Sequence, residues 1–369
     1  MKLSQRVVKT HPELITKYGY PVEEHTVQTK DGYILTHFRI PNGYKGSTGK
    51  RGPPIILQHG IFSASDLWIL MGREKSLDIT NILRIHPTPP ASGFILADEG
   101  YDVWLTNIRG NRHNRKHLEL SPKSKKFWDF SWHEMGHFDM PATIDYILAT
   151  TGEKKVYYVG HSMGTTMMFV MNSCRPEYND KIRIAFALAP VAYLGNPKHQ
   201  LLKGILPSSK MIAKILDQAK LWEILPYNKA LAQILASMCR KGAPTHNFCL
   251  HIYNLANGPD LEQLNETMLP VYITHLMAGA SLKTVHHYAQ IMSSGRFQAF
   301  DYGPEVNLEK YGQRTPPDYN GVQTLSRRLP RLVGTSRVIP PKFNHLDFIL
   351  ANDAKPLLFE HILNLLKVY

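Results

Sequence analysis

Apolar residues in the first half of the chain fall into short runs closed by turn residues, and these runs read as strands. Val27 to Ile40 places strand-compatible residues on both sides of a Lys30-Asp31-Gly32 turn, which predicts a β-hairpin. Pro54-Ile55-Ile56-Leu57-Gln58-His59-Gly60 is a compact apolar run ending in a glycine turn, the pattern of a strand buried on both faces of a parallel sheet. Tyr101 to Leu105, Lys155 to Val159 and Ile184 to Leu188 repeat that pattern, and helical spacing appears from about Met140 to Leu148. Strands alternating with helices predict an α/β fold with a mostly parallel sheet.

The texture changes from about Val191 to Phe300. Amphipathic helical segments such as Met211 to Leu225 and Leu231 to Cys239 dominate there, with no clear strands between them. Asp301 to Pro341 is rich in Pro, Gly and charge, and a helical pattern from Ala354 to Val368 closes the chain. The expected division is a core from residues 1–190 and 301–369, with residues 191–300 inserted as a helical cap.

Composition narrows the class. Hydrophobic residues at 43% suffice for a sizeable buried core, so disorder is not the expectation. Lys and Arg exceed Asp and Glu by 43 to 30, an excess that can attract nucleic acid or anionic lipid. The densest basic patches, Arg109 to Lys116 and Lys123 to Lys126, are short and match no nucleic-acid module, so they read as solvated surface. No run of 18 apolar residues occurs, and the first residues, Met1 to Arg6, do not lead into the apolar core of a secretory signal. The three cysteines, Cys174, Cys239 and Cys249, contain no CxxC pair, which argues against a zinc or dithiol site. Their spacing leaves open both a Cys239–Cys249 bridge and free buried thiols. Asn265-Glu266-Thr267 is a glycosylation sequon.

The segment carrying chemistry is Gly160-His161-Ser162-Met163-Gly164. A GxSxG nucleophile sits on a sharp strand-to-helix turn, where side chains in place of the glycines would collide with backbone. The run Val156 to Val159 precedes it and the helix-compatible Thr165 to Asn172 follows, the context a true elbow needs. Ser162 is therefore the candidate nucleophile. The oxyanion hole of such a turn uses the N–H after the nucleophile and another from the loop after an earlier strand. By position these are Met163 and, following His59-Gly60, Ile61. The general base must lie downstream. His345, in Lys342-Phe343-Asn344-His345-Leu346-Asp347-Phe348 ahead of the last helix, is preferred over His275, His286 and His287 of the helical region. The chemistry requires no metal and no cofactor.

The chain resembles the acid lipase family of α/β-hydrolases, which includes gastric and lysosomal acid lipases and insect relatives. The matching motifs are Tyr18 to Pro21 with Asp31 to Leu35, Gln58-His59-Gly60, Gly100 to Leu105, Asn107 to Asn111, Gly160 to Gly164 and Lys342 to Phe348. The resemblance implies the α/β-hydrolase fold, His345 as catalytic histidine and a helical cap over an apolar acyl pocket. It also implies a disulfide fitting Cys239 and Cys249, a secretory or lysosomal route, and lipid ester substrates met at a lipid–water interface.

Two departures stand out. Asp78 to Ser92, containing Pro87, Pro89 and Pro90, interrupts a stretch that the family runs through continuously. The second concerns the acid that orients the histidine, which in this fold follows a strand between cap and histidine. Asp301, Glu305, Glu309 and Asp318 are present in that interval, but none follows an apolar strand. A strand and its acid are expected to be missing at the Asn320/Gly321 junction. Asp318 is a poor substitute beside Pro316 and Pro317, and Asp347 lies too close to His345 to be a simple one. The expected activity is serine-dependent hydrolysis of neutral lipid esters, of triacylglycerol or sterol ester type, through an acyl-enzyme. The alternative is a lipid-binding homologue without a working triad.

Overall fold

A computed structural model describes residues 11–44, 51–72, 91–195, 204, 206–258, 262–319, 333–336, 338 and 343–369. The Asn320/Gly321 junction and residues 78–90 lie outside these.

After helix α1 (His11–Lys17) come strands β1 (Glu23–Gln28), β2 (Tyr33–Ile40) and β3 (Pro54–Gln58), helix α2 (Ser92–Asp98), β4 (Asp102–Thr106) and β5 (Lys116–His117). Helix α3 (Met140–Thr151), β6 (Val156–His161), α4 (Met163–Cys174) and β7 (Ile182–Leu188) complete the first half. The sheet runs β1-β2-β4-β3-β6-β7, with β5 paired to β2. β4, β3, β6 and β7 are parallel, and β1, β2 and β5 pair antiparallel on one side. Among the described residues β7 is the last strand on the far side, and its Phe186 is only partly buried.

The alternation of side chains along the central strands divides the core in two. Ile55, Leu57, Val103, Leu105 and Val159 face one cluster, packed with α1, α2 and the C-terminal residues. Ile56, Trp104, Val156 and Tyr158 face the other, with Ile144 and Ile147 of α3 and Met167 and Val170 of α4. Every residue of β3, β4 and β6 is buried, which is why those segments read as unbroken apolar runs.

The later chain carries α5 (Ser209–Gln218), β8 (Glu223–Ile224), α6 (Lys229–Met238), α7 (His246–Asn257), α8 (Leu269–His275), β9 (Ala280–Ser281), α9 (Leu282–Ser294), α10 (Pro304–Tyr311), α11 (Asp347–Leu350) and α12 (Glu360–Val368). Met211 to Leu225 is therefore not one helix. Lys220 and Leu225 take φ of 59° and 50°, and β8 pairs antiparallel with β9, a partner far downstream that local periodicity does not reveal. The Pro- and Gly-rich stretch also holds a helix, α10, opened by Pro304 in its first turn and closed by Gly312 at φ 70°.

The first basic patch is not simply solvated surface. Arg109 is 1% exposed, bonded to Asp139 Oδ1 at 2.6 and 2.8 Å and to Asp31 at 2.6 and 2.9 Å. Arg112 pairs with the buried Asp66. A cation enters the interior when carboxylates compensate it, and these come from distant segments that a local charge count cannot see. Lys116, Lys123, Lys125 and Lys126 are exposed as expected.

Candidate active site

β6 runs straight into α4, and the turn between them is strained. Ser162 sits at φ 54°, ψ −120°, a conformation that non-glycine residues rarely hold. The flanking glycines make the turn possible by close approach. A Cβ on Gly164 would stand 2.7 Å from the Gln58 carbonyl oxygen, and one on Gly160 3.0 Å from the Gly164 carbonyl carbon. Gly60, on the loop after β3, faces Ser162 so closely that its own Cβ would meet Ser162 Cβ at 2.9 Å. Ser162 N–H donates to the Leu188 carbonyl at 3.0 Å, and the Thr165 hydroxyl to the Ser162 carbonyl at 2.6 Å. The turn is thereby held from both sides.

His345 lies just before α11, and its Nε2 is 2.7 Å from Ser162 Oγ. Its N–H donates to the Asn257 carbonyl at 3.2 Å and its own carbonyl accepts from His161 Nε2 at 2.7 Å. The preceding turn closes on itself. Asn344 N–H donates to Asp347 Oδ2 at 2.6 Å, while Asn344 Oδ1 accepts from Leu346 N at 3.0 Å. Burial pushes the His345 pKa below the usual imidazole value, which favours the neutral ring.

The loop after β3 is fixed by buried polar contacts. His59 Nδ1–H donates to the Gly60 carbonyl at 2.7 Å, as does the Ser63 hydroxyl at 2.9 Å. His59 Nε2, left as acceptor, takes the Asn111 amide at 3.3 Å. Burial lowers the His59 pKa to about 4, which keeps that pattern intact near neutrality. Met163 opens α4, and neither its N–H nor that of Ile61 has a protein acceptor among the described residues. At a helix start such N–H groups carry partial positive charge.

Residues 11–72 match the family model for a partial α/β-hydrolase lipase region, and residues 53–250 that for the α/β-hydrolase fold. Lipase member K of Mus musculus is 38% identical over 93% of this chain and 87% of its own length. Lipase 3 of Drosophila melanogaster is 37% identical over 97% and 92%, and gastric triacylglycerol lipase of Homo sapiens 37% over 98% and 92%. The chain belongs to the acid lipase family of α/β-hydrolases. It is thus a serine ester hydrolase.

Within this lipase fold, Asp318, Asp301 and Glu305 have partners other than the histidine. Asp318 makes a two-point pair with Arg296, at 3.0 and 2.7 Å, in an isolated bridge to Gln298. Asp301 caps the turn into α10 through Gly303 N and Asn307 Nδ2, at 2.9 and 2.7 Å. Glu305 faces Arg314 at 3.3 Å, and Glu309 lies on α10. His345 is hydrogen-bonded to Ser162, His161 and Asn257. The other candidate histidines are drawn into packing. His275 meets Asp66, His287 stacks on Trp132 at 3.7 Å and donates to the Gln298 carbonyl at 3.0 Å, and His286 lies edge-on to Phe300 at 5.4 Å.

Cys239 and Cys249 form a disulfide joining the end of α6 to α7. Asn265 is partly exposed, and its side-chain oxygen accepts from Thr267 N at 3.1 Å. Among the described residues no helix is long and apolar enough to cross a membrane. Sequence reasoning passed over His161 and Asn257, which hold the backbone of His345. His161 was visible inside the elbow motif, whereas nothing local marks Asn257.

Proposed function

We propose that Ser162 Oγ attacks the carbonyl carbon of a neutral lipid ester while His345 Nε2 takes its proton. The observation carrying this reading is the 2.7 Å contact between the two atoms at a strained elbow. The N–H groups of Ile61 and Met163 receive the oxyanion. Collapse of the tetrahedral intermediate expels the alcohol, which takes the proton from His345, and leaves an acyl group on Ser162. Water, deprotonated by His345, then releases the fatty acid and restores the serine.

The substrate class follows from the relatives' names and from the helices of residues 191–300, which we read as a cap over the acyl pocket. Three of them turn apolar stripes outward: Met211, Ile212 and Ile215 on α5, Leu231, Ile234 and Met238 on α6, and Phe248, Ile252 and Leu255 on α7. Phe248 is 62% and Met211 60% exposed. Exposed Lys210, Lys214, Lys229 and Arg240 flank these stripes and make no ion pair among the described residues. Apolar stripes beside lysines suit adsorption to a lipid–water interface. The disulfide supports passage through an oxidising secretory or lysosomal compartment, where the Asn265 sequon is a candidate glycosylation site.

A fluorophosphonate probe tests the reading. Folded wild-type protein should label and hydrolyse a triacylglycerol emulsion, and Ser162→Ala should do neither. A properly folded protein that binds lipid but takes no Ser162-dependent label is instead a lipid-binding homologue.

A further inference from the structure

We infer that His161 is a positioning residue for the hydrolysis, tethering the main chain of His345 to the same strand end that carries Ser162. The inference rests on the Ser162–His345 reading above.

His161 is the last residue of β6, a strand paired on both sides, with Gly160 opposite Gln58 of β3 and His161 opposite Leu188 of β7. Its side chain is buried, and Nε2 lies 2.7 Å from the His345 carbonyl oxygen. A carbonyl oxygen can only accept, so His161 carries its proton on Nε2 and leaves Nδ1 bare. That assignment agrees with Nδ1, which has no partner among the described residues and faces the loop at Gly60. The two imidazoles also pack together, with centroids 4.9 Å apart and planes at 50°.

The consequence is a closed ring of contacts. Two consecutive residues of one strand end, His161 and Ser162, grip the two ends of His345: its carbonyl at 2.7 Å and its Nε2 at 2.7 Å. A third contact, from His345 N–H to the Asn257 carbonyl, fixes the remaining backbone group. A buried carboxylate at Nδ1 would orient the ring from its far side. Here the backbone itself is pinned, so the ring can deviate only by rotation about its own side-chain bonds. Burial, with lesser repulsion from His345 and His59, keeps His161 neutral, holding its pKa at about 3. It therefore places no second positive charge beside the imidazolium that His345 becomes during turnover.

Paired amide variants test the tether, with kcat and KM read separately. Glutamine at 161 can present an amide N–H to the same carbonyl, while asparagine is one methylene short. His161→Gln should retain kcat within about fivefold. His161→Asn should lose roughly 10²-fold in kcat, the order expected when a catalytic group is displaced by about an ångström, with KM nearly unchanged and phosphonylation of Ser162 slowed in parallel. Equal losses in both variants at unchanged Tm, or no loss in either, would overturn the inference. The tautomer gives a reading that needs no variant: ¹⁵N-histidine NMR of the wild-type enzyme should show His161 protonated at Nε2, and protonation at Nδ1 would refute the tether. If hydrolysis survives in Ser162→Ala, it is the underlying Ser162–His345 reading that fails.

Discussion

The central sheet and the helices between β7 and α10 treat apolar side chains in opposite ways. In β3, β4 and β6 every position is buried, and the polar groups that enter the interior, Arg109, Asp139, His59 and Asn111, arrive already partnered. On α5 no residue is buried, and α6 and α7 bury only the side that holds Ala232, Cys239, Cys249 and Tyr253 while showing Leu, Ile, Met and Phe to solvent. A sheet that brings Ser162, Gly60 and His345 together gains from density and from partnered polar groups. Helices that leave apolar stripes uncovered keep their hydrophobic driving force unspent, as the proposed adsorption to a lipid surface requires.

The difference can be broken from the sheet side. Arg109→Ala leaves Asp139 and Asp31 without their shared cation, and Asp139 is fully buried. The expected cost is about 3–5 kcal/mol, seen as a large fall in the urea midpoint. A midpoint unchanged within error would mean that the network is dispensable. From the helical side, Ile215→Ser with Phe248→Ser should change stability by less than about 0.5 kcal/mol, because both side chains are exposed. The pair should weaken adsorption to lipid vesicles several-fold, with hydrolysis of a dispersed short-chain ester retained. Loss of activity on both substrates would place these residues in the catalytic machinery instead. The smallest effect is expected for Asp318→Asn. Its partner Arg296 is half exposed, so stability should change by well under 1 kcal/mol and kcat by less than twofold. A drop of several orders of magnitude would identify Asp318 as the missing acid.

Much of the site was legible because its requirements are local. The elbow needs a strand, two residues without side chains and a helix within a few positions, and Val156 to Asn172 displays all of them. His345 was marked by its motif rather than by periodicity. What escaped notice was set by partners from far along the chain. The basic patch looked solvated because Asp31 and Asp139, which neutralise Arg109, are remote in sequence. The strand β8 is created only by β9. Asp318, which follows Pro316 and Pro317, pairs with Arg296, a partner 22 residues upstream that the local sequence does not reveal.

The order of apolar runs and turns was enough to determine a mostly parallel α/β sheet, a serine at the end of its third parallel-type run in reach of a glycine loop, and a helical segment of different character. Those properties depend on side chains within one turn or one strand. The tertiary structure alone decided which charges lie inside, which of the histidines meets Ser162, and that His161 holds the backbone of that histidine. Each of these depends on a buried polar group finding its one acceptor or counter-charge in three dimensions, and burial is what makes an absent partner costly.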